Sequence, residues 1–276
     1  MEKLRNTLSL ARSSWSVLQA DKELLLLPLL SGIASAIVAA SLLVPLVLTG
    51  GADQEPTTLG YVLLFVMYVV LAYVTIFFNA ALVAGAHERL HGGDPTVASA
   101  LRAAASHAGR ILPWAIVSAT VSVVLQVVQQ RGGLAGRGVA GIAGLAWSLI
   151  TFLVIPVIVI EGLGVGDAVK RSSALFKQTW GENVAARVGF GLLGFLLALP
   201  AVLLVVVGFA AGTVGGGIAI AVAVVWLLAV TLVMASLNSI FQTALYLYAA
   251  EREVPSGYFE PRQFRQAFDA RGATPA

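Results

Sequence analysis

The segment YVLLFVMYVVLAYVTIFFNAALVAGAHERLHGGDP, residues 61–95, determines what kind of protein this chain forms. Its first part, residues 61–86, contains no Asp, Glu, Lys or Arg. As an α-helix rising about 1.5 Å per residue, it is long enough to cross a hydrocarbon core of about 30 Å. Charged residues then follow, and Gly92 and Gly93 end the helix. The segment therefore predicts a transmembrane helix that stops at a polar boundary.

Five further runs of the same kind occur along the chain. They are continuous and apolar, unlike the alternating ten-residue strands of a membrane β-barrel, so they predict helices. We expect an all-α integral membrane protein with one membrane domain over residues 1–249 and a cytoplasmic tail over residues 250–276. The six predicted spans cover residues 24–48, 61–86, 111–128, 139–160, 188–209 and 218–248.

Composition supports this class of protein and excludes several others. Hydrophobic residues make up 58% of the chain and charged residues only 11%, whereas soluble domains carry roughly 25% charged residues. The absence of cysteine excludes disulfides, thiolate nucleophiles and cysteine-ligated metal sites. Basic residues are scattered and form no dense arm, so we expect membrane lipids as partners and no nucleic acid.

The distribution of basic residues predicts the orientation of the chain. If the N-terminus lies in the cytoplasm, 15 of the 17 Lys and Arg residues fall on the cytoplasmic side, and only Arg131 and Arg137 fall outside. Cytoplasmic loops carry such an excess of positive charge. We therefore expect both termini in the cytoplasm.

Amphipathic segments precede three of the spans, over residues 4–20, 96–107 and 167–180. In the first, Leu4, Leu8, Ala11, Trp15 and Leu18 share one helical face, and in the second Asp94 is the expected N-cap. Phe264 and Phe268 suggest a weaker fourth helix in the tail. Such helices lie in the headgroup layer and point basic residues at anionic lipid. The predicted interface residues are Arg12, Trp15, Lys170, Arg171, Lys177 and Trp180.

These segments also indicate an internal repeat. LARSSWSVLQADKE from Leu10 and VKRSSALFKQTWGE from Val169 share an R-S-S core, and ALRAAASHAGRILPW from Ala100 is a looser third copy. Each copy precedes two spans, which predicts three parallel units related by an axis along the membrane normal. Small residues at Gly208, Gly212 and Gly216 favour either a compact bundle or a homo-oligomer.

His87, Glu88 and His91 form an H-E-x-x-H pattern. On a helix the two histidines could bind zinc, with Glu88 as general base and His107, Asp94 or Glu161 as third ligand. Against this, glycines follow at once and no diagnostic third-ligand motif is present. Gapless alignment of Glu88 with Glu251 also matches Arg89 with Arg252, without histidines. We expect no cofactor and keep a zinc metalloprotease as the lesser alternative.

The predicted spans contain no charged residue at depth, which argues against an ion-coupled pump. Their notable polar residues are Asn79, Asn238 and Gln242. These side chains form either hydrogen bonds between helices or a polar site between the repeats. The second interpretation allows a passive pathway for a lipid or a small apolar solute.

The chain resembles an uncharacterised bacterial and archaeal family of six-span membrane proteins. The resemblance rests on NTLSLARSSWSVLQADKELLLLPLLSG, RLHGGDPTVASAL and AVKRSSALFKQTWGEN. More distantly, the R-S-S helix before a span is similar to the membrane domain of glycerophosphoryl diester phosphodiesterases, a likeness that transfers no catalytic residue. Together these features predict a multi-pass protein of the prokaryotic cytoplasmic membrane. Its expected role is non-enzymatic: accessory, structural or lipid-interacting, alone, as a homo-oligomer or with a membrane-protein partner.

Overall fold

A computed structural model of the chain describes residues 2–48, 57–178, 180–210, 212–251 and 257–259. Within these ranges the chain forms helices and no strand. A 3-10 turn, Lys22–Leu25, follows the first helix, and a π-helical turn, Val157–Glu161, follows the seventh. The helices are α1 Glu2–Ala20, α2 Leu26–Leu48, α3 Thr58–Leu90, α4 Val97–Ser106, α5 Ala108–Arg131, α6 Gly133–Ile150, α7 Val154–Pro156, α8 Val165–Gln178, α9 Trp180–Ala210 and α10 Gly212–Glu251.

Six helical stretches of the described chain are long and apolar enough to cross a membrane, which confirms the predicted all-α class and the six apolar spans. Their mean hydropathy lies between 2.1 and 2.8. They cover Lys22–Ser41, Gly60–Leu90, Ala108–Arg131, Ala135–Glu161, Phe190–Phe209 and Gly215–Glu251.

The helices pack as three sequential pairs, α2 on α3, α5 on α6 and α9 on α10. Three helices lie outside the six spans, α1, α4 and α8, and are called the short helices below. They lie against these pairs: α1 on α9 and α10, α4 on α3, and α8 on α6 and α7. In addition, α3 contacts both α7 and α10. The even-numbered spans therefore meet one another at the end of the molecule where the short helices lie.

The buried core occupies that same end. Leu18, Leu27, Leu82, Leu153 and Phe241 are fully or almost fully buried within one continuous cluster. Towards the opposite end, apolar side chains face outwards, as at Phe209, whose exposed fraction is 80%. A large outward apolar surface is what a bilayer covers.

Glycines allow α9 and α10 to approach closely near that opposite end. A Cβ atom added to Gly216 would lie 2.6 Å from the carbonyl oxygen of Gly208, a distance that real side chains do not tolerate. Gly208 and Gly216, two of the three small residues noted in the sequence, therefore mediate a contact between helices of the same chain.

One local expectation is wrong. Thr96, and not Asp94, caps α4: its side chain accepts from the amide of Ser99, and the Ser99 hydroxyl accepts from the amide of Thr96. This reciprocal pair satisfies two amides that a helix start otherwise leaves without partners. On α1, Ala11 and Leu18 are buried together with Ser14 and Val17, and Trp15, a predicted interface residue, is 40% exposed.

Candidate functional site

The fourth span is broken near its end in the core, and buried polar side chains from two other helices bond to the residues around this break. Helix α6 ends at Ile150, the chain turns over residues 151–153, and helical structure resumes at Val154. Pro156 explains part of the break: it has no N–H and cannot donate to the carbonyl of Phe152 four residues earlier. The π-helical turn then ends at Gly162, whose φ of 66° suits glycine.

Ser172 of α8 satisfies two backbone groups released by the break. Its hydroxyl donates to the carbonyl of Ile150 at 2.5 Å and accepts from the amide of Leu153 at 3.2 Å. The carbonyl of Ile150 is available because the amide of Val154, its usual helical partner, donates to Thr151 at 3.1 Å. Ser172 is fully buried, so water does not compete for these bonds.

Gln242 of α10 satisfies a third group. Its side-chain amide donates to the carbonyl of Phe152, to which Pro156 cannot donate because it has no N–H. The side chain is 5% exposed, and its Oε1 atom has no hydrogen-bond partner among the described residues. Side chains of α8 and α10 thus form hydrogen bonds to the backbone at the break. The Oε1 atom of Gln242 remains beside it as a buried acceptor.

Glu161 anchors the end of the broken span to the same two helices. Its Oε1 atom accepts from Nε of Arg171 on α8 at 2.9 Å and from the hydroxyl of Tyr246 on α10 at 2.8 Å. Hydrogen bonds to a charged carboxylate are stronger than those between neutral groups. Arg171 and Glu161 are therefore both engaged within the protein.

The three predicted intramembrane polar residues have different contacts. Asn79 on α3 accepts through Oδ1 from the hydroxyl of Ser239 on α10 at 2.8 Å. Gln242 binds Phe152 instead, and Asn238 is half-buried. Asn79 and Gln242 therefore each link a pair of helices.

In the H-E-x-x-H segment, His87 and Glu88 lie on the last turn of α3, and His91 is the residue that follows the helix. The two imidazole ring centroids are 4.3 Å apart, and Nδ1 of His91 lies 2.7 Å from the carbonyl oxygen of His87. Glu88 accepts through Oε2 from the Ser99 hydroxyl of α4 at 3.2 Å. The histidines are thus neighbours, while Glu88 is bonded to the next helix.

Each residue predicted as a possible third zinc ligand interacts with a different side chain instead. Asp94 forms an ion pair with Arg89 at 3.6 Å, Nδ1 of His107 lies 3.1 Å from Nη1 of Arg110, and Glu161 is bonded as described above. Burial lowers the pKa of His107, and the charge of Arg110 lowers it further. Among the described residues, no group of three His, Asp or Glu side chains is arranged to hold a metal ion.

A second polar cluster, which the sequence did not indicate, joins the N-terminal segment to α4. Glu23 accepts through Oε2 from the amide of Val97 at 3.0 Å, so a carboxylate lies at the N-terminus of α4. Asp21 is 6% exposed, and burial raises its pKa, an effect that the amide of Glu23 and the charge of Arg89 oppose. The sequence signal that could have indicated this cluster is the group of charged residues Asp21, Lys22 and Glu23, just before the first apolar run.

The predicted interface residues differ in how accessible they are. Arg12 and Lys177 are exposed, and Lys170 is exposed beside Asp167 at 3.6 Å. Trp15 is partly exposed, whereas Arg171 is held by Glu161. The side chain of Trp180 and the predicted tail helix around Phe264 and Phe268 lie outside the described residues.

The chain has the features of a multi-pass helical membrane protein. It has six apolar helical stretches, a core at one end, and polar side chains that form hydrogen bonds between helices. A family model described as Family of unknown function (DUF6159) matches residues 58–256, and the chain belongs to this family. The match runs from the start of α3 to just beyond α10. Neither the curated proteins nor the solved structures contain a match. The distant likeness to the phosphodiesterase membrane domain therefore has no support from these comparisons.

Proposed function

We propose that this chain is a non-enzymatic protein of the prokaryotic cytoplasmic membrane that organises lipid at the cytoplasmic face, with both termini in the cytoplasm. One observation carries the proposal. The polar side chains at the inner ends of the spans bond to other helices, whereas basic side chains on α1 and α8, Arg12, Lys170 and Lys177, stay exposed. The inner groups are used for architecture, and the exposed cations are available to anionic headgroups.

The three-unit arrangement fits this role. Each short helix packs on the inner end of an even-numbered span: α4 on α3, α8 on α7, and α1 on α10. The acid that ends the second span, Glu88, bonds to Ser99 of α4, and the acid that ends the fourth, Glu161, bonds to Arg171 of α8. Glu251 takes the corresponding place at the end of the sixth. We infer three parallel repeats that surround an axis along the membrane normal.

Lipid co-purification tests the proposal. Protein in nanodiscs of mixed phosphatidylglycerol and phosphatidylethanolamine should enrich the anionic lipid. Lys170→Gln with Lys177→Gln should lower this enrichment several-fold, because each cation near the surface contributes about 1 kcal/mol. Arg131→Gln with Arg137→Gln is the matched control, since it removes two exposed cations from the predicted outer side.

Equal enrichment in both double variants, or no enrichment in the wild type, would contradict the lipid role. Substrate turnover by the pure protein would contradict the non-enzymatic role, and stoichiometric zinc in the purified protein would favour the metalloprotease.

The buried, unpartnered Oε1 atom of Gln242 favours one second candidate, a passive pathway beside the break in the fourth span. Broken helices line the substrate sites of many transporters. Proteoliposome flux of a small solute that disappears in Asn79→Leu with Gln242→Leu would support this function. Flux equal to that of protein-free vesicles would reject it.

A further inference from the structure

An open apolar groove of about 460 Å³ lies between α1, α9 and α10. Its walls are apolar side chains, except that Arg12 lies among them; among the described residues that line it, Arg12 is the one charged side chain. The indole of Trp226 donates to the carbonyl of Leu197 at 2.7 Å, so its polar N–H is satisfied by the wall. The lining residues are Ala11, Arg12, Trp15, Leu193, Leu197, Trp226, Ala229, Val230, Val233 and Leu237.

We propose that this groove binds one anionic phospholipid of the cytoplasmic leaflet, with an acyl chain in the groove and the phosphate on Arg12. The inference rests on the proposed function and names the site and the lipid class. The phosphate is the part of the ligand that matches the guanidinium, which forms paired charge-assisted hydrogen bonds with such groups.

The length of the groove matches one leaflet. Along α10 its lining runs from Trp226 to Leu237, which spans about 16 Å of helix axis at 1.5 Å per residue. Half of a hydrocarbon core of about 30 Å is about 15 Å. Leu237 belongs to the buried core cluster together with Ala11 of α1, whereas Trp226 does not. Arg12 and Trp15 therefore lie at the core end, where a headgroup would be, and Trp226 lies nearer the bilayer centre.

The charge in the groove favours a phospholipid over an apolar helix from a second copy of the protein. Arg12 lies among the lining residues, and a phosphate is complementary to its guanidinium. The groove is also open to the side, so a lipid can enter from the bilayer.

Selectivity must come from the headgroup. An acyl chain that leaves the bilayer for the groove exchanges one apolar environment for another and gains little hydrophobic free energy. One cation near the membrane surface gives a preference of about fivefold for an anionic lipid. We expect that preference for phosphatidylglycerol over phosphatidylethanolamine, and we expect Arg12→Gln to abolish it.

Quenching of tryptophan fluorescence by phospholipids with brominated acyl chains tests the site in the full-length protein. Trp226 lines the groove, so the anionic brominated lipid should quench it more strongly than the zwitterionic one at equal mole fraction, and the difference with a Trp226→Phe variant isolates its signal. Arg12→Gln should remove the headgroup difference. Arg102→Gln, which removes an exposed cation of α4, should retain it.

A groove-filling variant gives an independent measurement. Val230→Trp should displace a phospholipid that native mass spectrometry detects on the wild type, whereas Val225→Trp, on the exposed side of α10, should not. If anionic enrichment persists while Arg12→Gln and Val230→Trp change neither readout, the groove assignment is wrong and the lipid role stands. If Val230→Trp instead converts a dimer to a monomer, a second copy occupies the groove and the assignment is also wrong. Absence of any preference for anionic lipid in the wild type would reject both the groove assignment and the proposed lipid role.

Discussion

Ser172 supports two backbone groups with one hydroxyl, and its location makes those bonds important. The carbonyl of Ile150 and the amide of Leu153 lie in a break within a span, where lipid and protein exclude water. Unsatisfied backbone groups in such surroundings are costly. Among the described residues, the neighbouring hydroxyl of Ser173 donates to the carbonyl of Lys170 in its own helix. The two adjacent serines therefore have different structural roles.

Ser172→Ala should lower the free energy of unfolding by about 1–3 kcal/mol, because it leaves a buried donor and a buried acceptor unpaired. Ser173→Ala is the matched control and should change stability by less than about 0.5 kcal/mol. Reversible unfolding in mixed micelles measures both values. Equal effects for the two variants would show that the break does not depend on Ser172.

Asp21 is the residue for which a pH effect is expected. Because burial raises its pKa in the folded protein, the folded state holds the proton more tightly than the unfolded state. The stabilising contribution of Asp21 is therefore complete below the ordinary value of 3.8 and is lost as the pH rises through the raised value.

Asp21→Asn should remove this contribution, since an amide does not titrate. The difference in free energy of unfolding between wild type and Asp21→Asn should shift in favour of the variant as the pH increases from 4 to 7, and unfolding curves collected across this range measure it. A difference that stays constant with pH would contradict the assignment of the effect to Asp21.

At the scale of elements, Glu161 connects the π-helical end of the fourth span to α8 and α10 through contacts of unequal strength. The Arg171 side chain is 40% exposed, and ion pairs of this kind contribute about 0.2–1 kcal/mol. Tyr246 is 2% exposed, and a buried hydrogen bond to a charged group contributes about 1.5–3 kcal/mol. The link to α10 should therefore be the stronger of the two.

Tyr246→Phe should accordingly destabilise the protein more than Arg171→Gln. Double-mutant cycles with Glu161→Gln isolate the two coupling free energies. If Arg171 shows the larger coupling, the ion pair and not the tyrosine holds the fourth span in place.

The elements differ in how far the sequence predicts them. Six spans follow from local apolar runs, because length and hydropathy suffice to identify a transmembrane helix. Pro156 signals an irregular fourth span, but its partners Ser172 and Gln242 come from distant parts of the chain and cannot be inferred from local pattern. The sequence does not decide the start of α4, because Asp94 and Thr96 are both good N-caps and only the geometry selects Thr96. Trp15 fits the apolar stripe of α1 by period, yet it borders a groove formed by α9 and α10.

At the scale of the whole molecule, the described core lies at one end, and the short helices close that end. The helices extend from it with mostly apolar outward faces, and Gly208 and Gly216 bring α9 and α10 together near the other end. Packing against neighbouring helices is therefore concentrated on one side of the predicted membrane. Basic residues cluster on that side in the sequence, which predicts that it faces the cytoplasm.

The natural absence of cysteine gives a clean test of that orientation. Lys177→Cys and Arg131→Cys each introduce a single thiol at an exposed position of the described chain. A membrane-impermeant maleimide should label Arg131→Cys in intact cells and Lys177→Cys only after lysis. The opposite pattern would invert the topology.

The break in the fourth span also has a consequence for synthesis. Gln242 follows Phe152 by 90 residues, so the hydrogen bond from its side-chain amide to the carbonyl of Phe152 forms only after the last span has emerged from the ribosome. At about 5–20 residues per second, this delay lasts roughly 5–20 seconds. During that interval the fourth span lies in the membrane without its hydrogen bond to α10, and a ribosome stalled before residue 242 leaves a protein that lacks this link between the fourth and sixth spans.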